Sequence, residues 1–207
     1  CLTVNPFTAY GMFDIARQYE SKAIIQNAAG GQVASLMRKM ALNNGVEVID
    51  IVRKKESAEK LSNEGAKYVL VETDVKFDEH LKDIARELGA NVAYDAVGGA
   101  LSGSMFNSLT SDSELVVYGG LSGKPIADVN IMDIIFNNKI ISGFNLMDWK
   151  SEINEDDFLR ISDEIQNGFI SGDYHTSIQG YSSFNDIVAG LRGYISDMSS
   201  GKLLVKP

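Results

Sequence analysis

Apolar and polar positions divide the chain into short and long segments. Apolar runs at about 22–28, 46–52, 68–71, 91–97, 114–118 and 139–144 predict buried strands. Between them lie longer segments in which apolar residues recur at helical spacing, and Gly or Asn often marks their end. Alternating strands and helices require right-handed crossovers and a mostly parallel sheet covered on both faces. We therefore predict an α/β fold with a doubly wound, six-stranded Rossmann sheet and helices on both faces, plus a C-terminal helical segment.

Further elements are predicted at the two ends of the chain. Asn5 to Tyr10 opens a leading helix, with Pro6 in its first turn, where the missing N–H costs nothing. After Trp149 the pattern predicts a helix from Ser151 to about 167, an irregular stretch at 168–180, a helix at 184–198 and a strand at 202–205. We divide the chain into a Rossmann core with its leading helix, about 1–150, and a C-terminal segment, about 151–207.

The stretch from Lys22 to Ala34 has the layout of a dinucleotide-binding turn. An apolar run leads into small residues around Gly30 and Gly31, and a helical pattern follows. Such a turn places an anion on a helix N-terminus, where backbone N–H groups and the helix dipole both favour negative charge. Ala replaces the first and third glycines of the usual fingerprint, and a tight connection without a ligand is the alternative.

Composition excludes several function classes. The 207 residues carry a net charge of −9 with no basic run beyond Arg53-Lys54-Lys55, which argues against a nucleic-acid partner. No apolar run approaches the roughly 20 residues that span a bilayer, so we expect no membrane partner. The single cysteine, Cys1, excludes intrachain disulfides and a cysteine-based metal site, and favours the cytoplasm. The chain begins without Met, and we expect a domain of a longer protein.

A series of segments resembles a known family in order and in spacing. The segments are Val4–Tyr10, Asn27–Ala34, Ile51–Arg53, Tyr94–Gly99, Val117–Leu121 and Gly143–Leu146. Together they resemble the cofactor domain of the zinc-independent medium-chain dehydrogenase/reductases, in the branch of quinone oxidoreductases and trans-2-enoyl-thioester reductases. The resemblance covers essentially the whole chain.

The resemblance implies a set of cofactor-binding residues. Asn5 matches a residue on the nicotinamide side of the cleft, and the pyrophosphate turn is matched by Gly30, Gly31, Gln32 and Val33. Tyr118, Gly119, Gly120 and Leu121 match the segment along the nicotinamide ribose and carboxamide. Phe144, Asn145 and Leu146 match the segment that closes over the nicotinamide, where the family often has Trp in place of Asn145, and Lys202 matches a lysine that can reach the cofactor.

The cofactor expected from the resemblance is NADPH. Arg53, with Lys55 behind it, stands where the adenosine ribose is read, and a 2′-phosphate favours Arg or Lys there. Asp50 would suit the bare hydroxyl of NADH but lies earlier in the strand. The basic cluster could instead be a solvated start of a helix.

The resemblance also implies the reaction and the assembly. The family transfers hydride from a nicotinamide to a quinone or an activated carbon–carbon double bond, so a small-molecule electron acceptor is expected. The acceptor pocket and the catalytic side chain lie in an N-terminal GroES-like domain that these residues do not include, and we name no catalytic residue and no metal ligand. Family members pair through the sixth-strand edge, which predicts a homodimer here.

Two other functions remain open at this stage. A non-catalytic nucleotide sensor or dimerisation domain would use the same fold. A methyltransferase-like domain would bind S-adenosylmethionine, although Arg53 disfavours it because an acidic residue would suit the ribose of that ligand. Neither His80 nor His175 has a partner at ligand spacing, and we interpret both as surface residues. Tyr10 lies on an apolar face, which favours packing or cleft lining over catalysis.

Overall fold

The computed structural model describes residues 2–196 and 201–206. Cys1 and Met198, the predicted end of the last helix, lie outside the described residues. The strands of the main sheet are β1 Ala23–Gln26, β2 Glu47–Val52, β3 Tyr68–Val71, β4 Val92–Asp95, β5 Ser113–Val117 and β6 Lys139–Gly143. The helices are α1 Asn5–Gln18, α2 Gln32–Asn43, α3 Lys55–Asn63, α4 Phe77–Leu88, α5 Ala100–Ser108, α6 Ile131–Phe136, α7 Leu146–Glu152, α8 Glu155–Ile170 and α9 Ile187–Ser196.

The six strands form one parallel sheet in the order β3-β2-β1-β4-β5-β6. This is the predicted doubly wound Rossmann sheet, which is thereby confirmed. The strand order reverses between β1 and β4, because the chain builds one half of the sheet outward from β1 and then returns to start the other half. Ligands of open α/β sheets bind beyond the carboxyl ends of the strands at this switch point.

The alternation of side chains along each strand assigns the two faces to different helices. Ile24 on β1 packs into the core built on α1, α2 and α8, together with Tyr94 of β4. The next residue, Ile25, packs into the core built on α4 and α5, together with Ile49 of β2. Both isoleucines are fully buried. Because neighbouring residues of β1 serve opposite faces, the strand reads as one continuous apolar run.

The C-terminal segment differs from the prediction in two ways. Where one helix was predicted from Ser151, the structure has α7 and α8, because the Asn154 side chain accepts a hydrogen bond from the Asp157 N–H at 2.9 Å and starts a new helix there. The stretch at 168–180 is only partly irregular, because α8 continues to Ile170 and a strand begins at Ile178. That strand, β7 Ile178–Ser183, pairs in parallel with β8 Lys202–Lys206.

None of the helices in the described ranges has the length and apolar character that crossing a bilayer requires.

Candidate functional site

The turn that follows β1 lies at the switch point and is built from small residues. Ala28 has a φ of +48°, a left-handed conformation that is uncommon for alanine. The Gly31 N–H donates to the Ala28 carbonyl at 2.8 Å, and the Ala29 N–H donates to the Ile51 carbonyl at 3.2 Å, which fixes the turn against β2. A Cβ on Gly31 would lie 3.1 Å from the Ala28 oxygen, a tight contact, so the close backbone approach favours the second glycine of the fingerprint.

Helix α2 starts at this turn with its first N–H groups uncapped by any side chain. Its N-cap is Gly31, in an extended conformation, and its first turn contains no acidic residue. The helix has twelve residues, with Val33, Leu36 and Met37 packed in the core, so its N-terminus is held in place. Uncapped N–H groups at the positive end of a helix dipole are suited to bind a phosphate.

A buried ion pair between α2 and β2 holds the turn in place. Arg38 on α2 donates to both carboxylate oxygens of Asp50, at 2.6 and 2.9 Å, and also donates to the Ala29 carbonyl at 2.8 Å. Gln26 adds a third bond to Asp50 at 2.7 Å and one to the Ala34 carbonyl at 3.0 Å. Burial raises the pKa of Asp50, and the donors on Arg38 and Gln26 oppose that rise. This network ties β1, β2, α2 and the turn into one unit.

A second buried network joins the carboxyl ends of β1 and β4. The Asn27 side chain donates to Asp95 at 2.6 Å and accepts from the Ala96 N–H at 2.8 Å. The same Asp95 carboxylate accepts from the N–H groups of Val97 and Gly98 and from the Ser102 hydroxyl. All of these bonds are internal, so Asn27 and Asp95 hold the loops that follow β1 and β4 together.

The loop after β5 lies beside the loop after β4. The N–H groups of Tyr118 and Leu121 donate to the carbonyls of Asp95 and Ala96, at 2.9 and 3.0 Å. A Cβ on Gly119 would lie 2.9 Å from the Ala96 oxygen, whereas Gly120 is exposed at the surface. Burial, with a contribution from Asp95, raises the pKa of Tyr118, which keeps the phenol neutral. Tyr118 packs at the edge of the core, and Leu121 is exposed.

The basic residues lie beyond the carboxyl end of β2. Arg53 is exposed directly after the strand, next to the turn that Ala29 fixes on Ile51. Lys55 is the first residue of α3, and its ammonium lies 3.8 Å from the Asp74 carboxylate across an exposed ion pair. Asp50 is committed to Arg38, whereas Arg53 and Lys54 are exposed basic residues at the end of this strand.

The residues of the segment after β6, Phe144 to Leu146, each make contacts within the chain. The Phe144 ring packs on α1, because a Cβ on Gly11 would lie 2.8 Å from it, and Trp149 packs beside it at 6.2 Å between ring centroids. Asn145 caps α7, accepting from the N–H groups of Met147 and Asp148. Leu146 packs at the edge of the core. Capping explains why Asn suits position 145.

The other residues considered in the sequence analysis, Asn5, Tyr10 and Lys202, lie on other elements of the fold. Asn5 begins α1 and is half-buried. Tyr10 is buried and its hydroxyl donates to Glu164 of α8 at 3.0 Å, so its role is packing. The Lys202 ammonium donates to the Tyr194 hydroxyl at 3.1 Å within the C-terminal β7–α9–β8 unit. The structure thus brings the turn and the loops after β4 and β5 together, and it engages Lys202 elsewhere.

Sequence reasoning missed the residues that support the site. Arg38 lies in α2, where the apolar side chains rather than Arg38 give the helical periodicity. Gln26 is the polar last residue of the apolar strand β1. The available signal was Asp50, a carboxylate inside the apolar run Val48 to Val52, because a charge in a buried strand requires a partner. Nothing in the spacing identifies that partner, since Arg38 meets Asp50 only through the packing of α2 on the sheet.

Comparison with known proteins agrees with this geometry. The profile of the zinc-binding dehydrogenase family matches residues 33–162. The chain belongs to this family. Its resemblance to the cofactor domain of the medium-chain dehydrogenase/reductases is thereby confirmed.

Individual relatives point to two named activities. The chain is 31% identical over 163 residues to the mitochondrial enoyl-[acyl-carrier-protein] reductase of Rattus norvegicus, covering 76% of this chain and 43% of the relative. A solved structure from Mesorhizobium loti, assigned as an NADPH:quinone reductase, superposes with a TM-score of 0.92 at 27% identity, over 100% of this chain and 59% of that one. The Candida tropicalis 2-enoyl thioester reductase heterodimer, at 21% identity and a TM-score of 0.81 over 100% and 60%, shares the fold.

The chain spans about half the length of the curated relatives it matches, 43% for the rat enzyme and 54% for the human one. The family name refers to zinc. Within residues 2–196 and 201–206, no group of three or more His, Cys, Asp and Glu side chains is placed to hold a metal ion. The described residues therefore do not fit a zinc site.

Proposed function

We propose that this chain is the NADPH-binding domain of an oxidoreductase that reduces a quinone or an α,β-unsaturated carbonyl or thioester. The observation that carries the proposal is the turn at Gly31. There the uncapped N-terminus of α2 meets a close-packed backbone at the switch point of the sheet. That arrangement suits a pyrophosphate. NADPH supplies a hydride when bound, and the residues of this chain bind and orient it.

The preference for NADPH rests on the charges at the end of β2. Arg53 is exposed there and suits a 2′-phosphate through charge-assisted hydrogen bonds. Asp50, the acidic residue that would suit a ribose hydroxyl, is buried and paired with Arg38 at 2.6 Å. Relatives support the choice, since one neighbour is named as an NADPH:quinone reductase and another was solved with NADP and crotonyl-CoA.

The acceptor pocket forms a separate part of the proposal. Because the relatives are about twice as long as this chain, we place the acceptor pocket and the catalytic side chain in a GroES-like domain outside these 207 residues. In this division, about 1–150 is the Rossmann core and about 151–207 the segment that returns to that domain. The domain as isolated would bind cofactor and catalyse little.

We also propose a homodimer through the free edge of β6. This strand pairs with β5 on one side only in the six-stranded sheet, and Ile140 is 48% exposed on it. The adjacent helix α6 exposes Ile131, Ile135 and Phe136, each above 60%. An unpaired edge beside exposed apolar side chains favours pairing with a second copy.

The cytoplasmic location stays a prediction, whereas the curated relatives named above are mitochondrial enzymes.

A cofactor titration tests the first proposal. We expect quenching of intrinsic fluorescence on adding NADPH, with affinity at least tenfold greater than for NADH. Equal or tighter binding of NADH would overturn the cofactor assignment. A protein that binds neither cofactor would instead favour the alternative of a dimerisation domain, and S-adenosylmethionine binding would favour a methyltransferase-like function.

A further inference from the structure

Gln32 connects the phosphate turn to a distant part of the chain. It is the first residue of α2, so its backbone belongs to the uncapped turn described above. Its side-chain amide donates to the His175 carbonyl at 2.8 Å, across a sequence separation of 143 residues. One residue therefore contributes its backbone to the proposed pyrophosphate site and its side chain to a separate segment.

The segment that Gln32 contacts, residues 171–177, is also anchored to α2 and to α8. The Asp173 carboxylate lies 3.6 Å from the Lys39 ammonium on α2. The Tyr174 N–H donates to the Gly168 carbonyl at 2.8 Å, and the Tyr174 ring packs edge-on against Phe169 at 5.9 Å. Because these anchors hold the segment near α2, the bond from Gln32 to His175 forms at low entropic cost even though it is exposed.

The 171–177 segment is also the connection to the C-terminal unit. Strand β7 begins at Ile178 and pairs with β8, and α9 packs on both strands, since a Cβ on Gly190 would lie 2.8 Å from the Ser182 hydroxyl. Among the described residues, Tyr174 is the last that packs on the main hydrophobic cores. The segment thus joins a well-packed body to a unit with its own small sheet.

We propose that Gln32 is a positioning residue that couples cofactor binding at the turn to the order of the 171–177 segment. This inference rests on the proposed function. An anion bound to the first turn of α2 restricts the Gln32 backbone further and thereby favours the side-chain geometry that reaches His175. By linkage, a segment held by Gln32 favours anion binding to the same degree.

The test compares substitutions at two positions of α2. Gln32→Met removes the donor at similar length, and Gln32→Ala serves as a second variant. Lys39→Met is the matched control, because it removes a contact to the same segment away from the turn. For each protein, NADPH affinity is measured by fluorescence, and amide hydrogen exchange of residues 173–177 is measured with and without saturating NADPH.

The expected results separate coupling from a purely structural role. In the wild-type protein, NADPH slows exchange in residues 173–177. In Gln32→Met and Gln32→Ala, NADPH affinity falls about fivefold, as for loss of one hydrogen bond, and exchange no longer responds to NADPH. In Lys39→Met, exchange is faster throughout but still slows with NADPH.

Two results would overturn the inference. One is wild-type protein that binds NADPH without any change of exchange in the segment, and the other is a Gln32 variant that keeps the wild-type response. Either result would leave the proposed function, NADPH binding, unaffected. Absence of NADPH binding to the wild-type protein would overturn the proposed function together with this inference, and the fluorescence titration detects that case separately.

Discussion

Arg38 and Asp50 form a bidentate ion pair next to the turn that follows β1. The Arg38 Nε lies 2.6 Å from Oδ2 of Asp50, and Nη2 lies 2.9 Å from Oδ1. Their side chains are only 12% and 1% exposed. The same guanidinium bonds the Ala29 carbonyl, so the pair holds the turn to the second strand. The residues that support the site are thus packed as tightly as the core.

Removing one partner of this pair should be costly. We expect Arg38→Met to lower the free energy of unfolding by about 3 kcal/mol, because it leaves a buried carboxylate with Gln26 as its remaining side-chain donor. Urea denaturation measures the change. Arg86→Met is the control, since its pair with Asp83 is 69% and 65% exposed and should contribute less than about 0.5 kcal/mol. Equal effects in the two variants would contradict this interpretation.

The ion pair between Asp133 and the buried Lys139 should make the stability of the protein depend on pH. Although burial opposes it, hydrogen bonds from Lys139 and Asn137 lower the pKa of Asp133 below its ordinary value of 3.8. A carboxyl with a lowered folded pKa adds stability above its unfolded pKa and loses it as pH falls through the folded pKa. The stability that Asp133 adds is therefore complete at neutral pH and declines below about pH 4.

The variant Asp133→Asn separates this group from the other carboxylates. We expect it to unfold about 2 kcal/mol more easily at pH 7, because the Lys139 ammonium, 2.9 Å from Asp133, loses its charged partner. The difference from wild type should shrink between pH 4 and pH 2. Thermal unfolding across this range measures it, and a difference that stays constant with pH would contradict the assignment.

Arg53 is expected to set the choice of cofactor. Arg53→Ala should weaken NADPH binding by about 10- to 100-fold, the value of a charge-assisted hydrogen bond, and should change NADH binding by less than about threefold. Lys60→Ala is the control, because Lys60 is exposed toward the other end of α3 and pairs with Glu64. Fluorescence titration with both cofactors decides the question. Equal losses for NADPH and NADH would exclude a role in reading the 2′-phosphate.

Gly119 and Gly120 offer a matched pair in one loop. Neither has a positive φ, so alanine suits both backbones. At Gly119 an added Cβ would lie 2.9 Å from the Ala96 oxygen and 3.2 Å from its Cα, and Gly119→Ala should destabilise by about 1–3 kcal/mol. Gly120→Ala should change stability by less than about 0.5 kcal/mol, since no described atom lies within 4 Å. Urea denaturation that ranks the two variants the other way would refute the packing argument.

The proposed dimer makes a prediction for the edge of β6. Light scattering after size-exclusion chromatography should give a dimer for the wild-type protein. Ile140→Lys should raise the dimer dissociation constant by about 30-fold or more, because it places a charge in an apolar interface. Leu159→Lys is the control, since Leu159 is 55% exposed on α8. A monomeric wild-type protein would rule out the proposal.

Local pattern predicted the sheet well because each strand is a distinct apolar run between Gly- or Asn-marked breaks. β3 has the predicted bounds, and the ends of the other strands of the main sheet lie within two residues of the prediction. The C-terminal segment was harder. An Asn154 cap divides one acidic helical pattern into two helices. The strand β7 has the sequence Ile-Gln-Gly-Tyr-Ser-Ser, and its Gly and Ser residues weaken the strand signal.

The sequence by itself determined the fold class and the position of the small-residue turn after the first strand, because periodicity and small residues are local properties of the chain. Only the tertiary structure decided which side chains support that turn. Arg38, Asp50 and Gln26 are brought together by helix packing on neighbouring strands, as are Asn27 and Asp95. Likewise, Asn145 was revealed as a helix cap and Gln32 as a link to His175. Such contacts depend on distances across the fold, which no spacing in the sequence encodes.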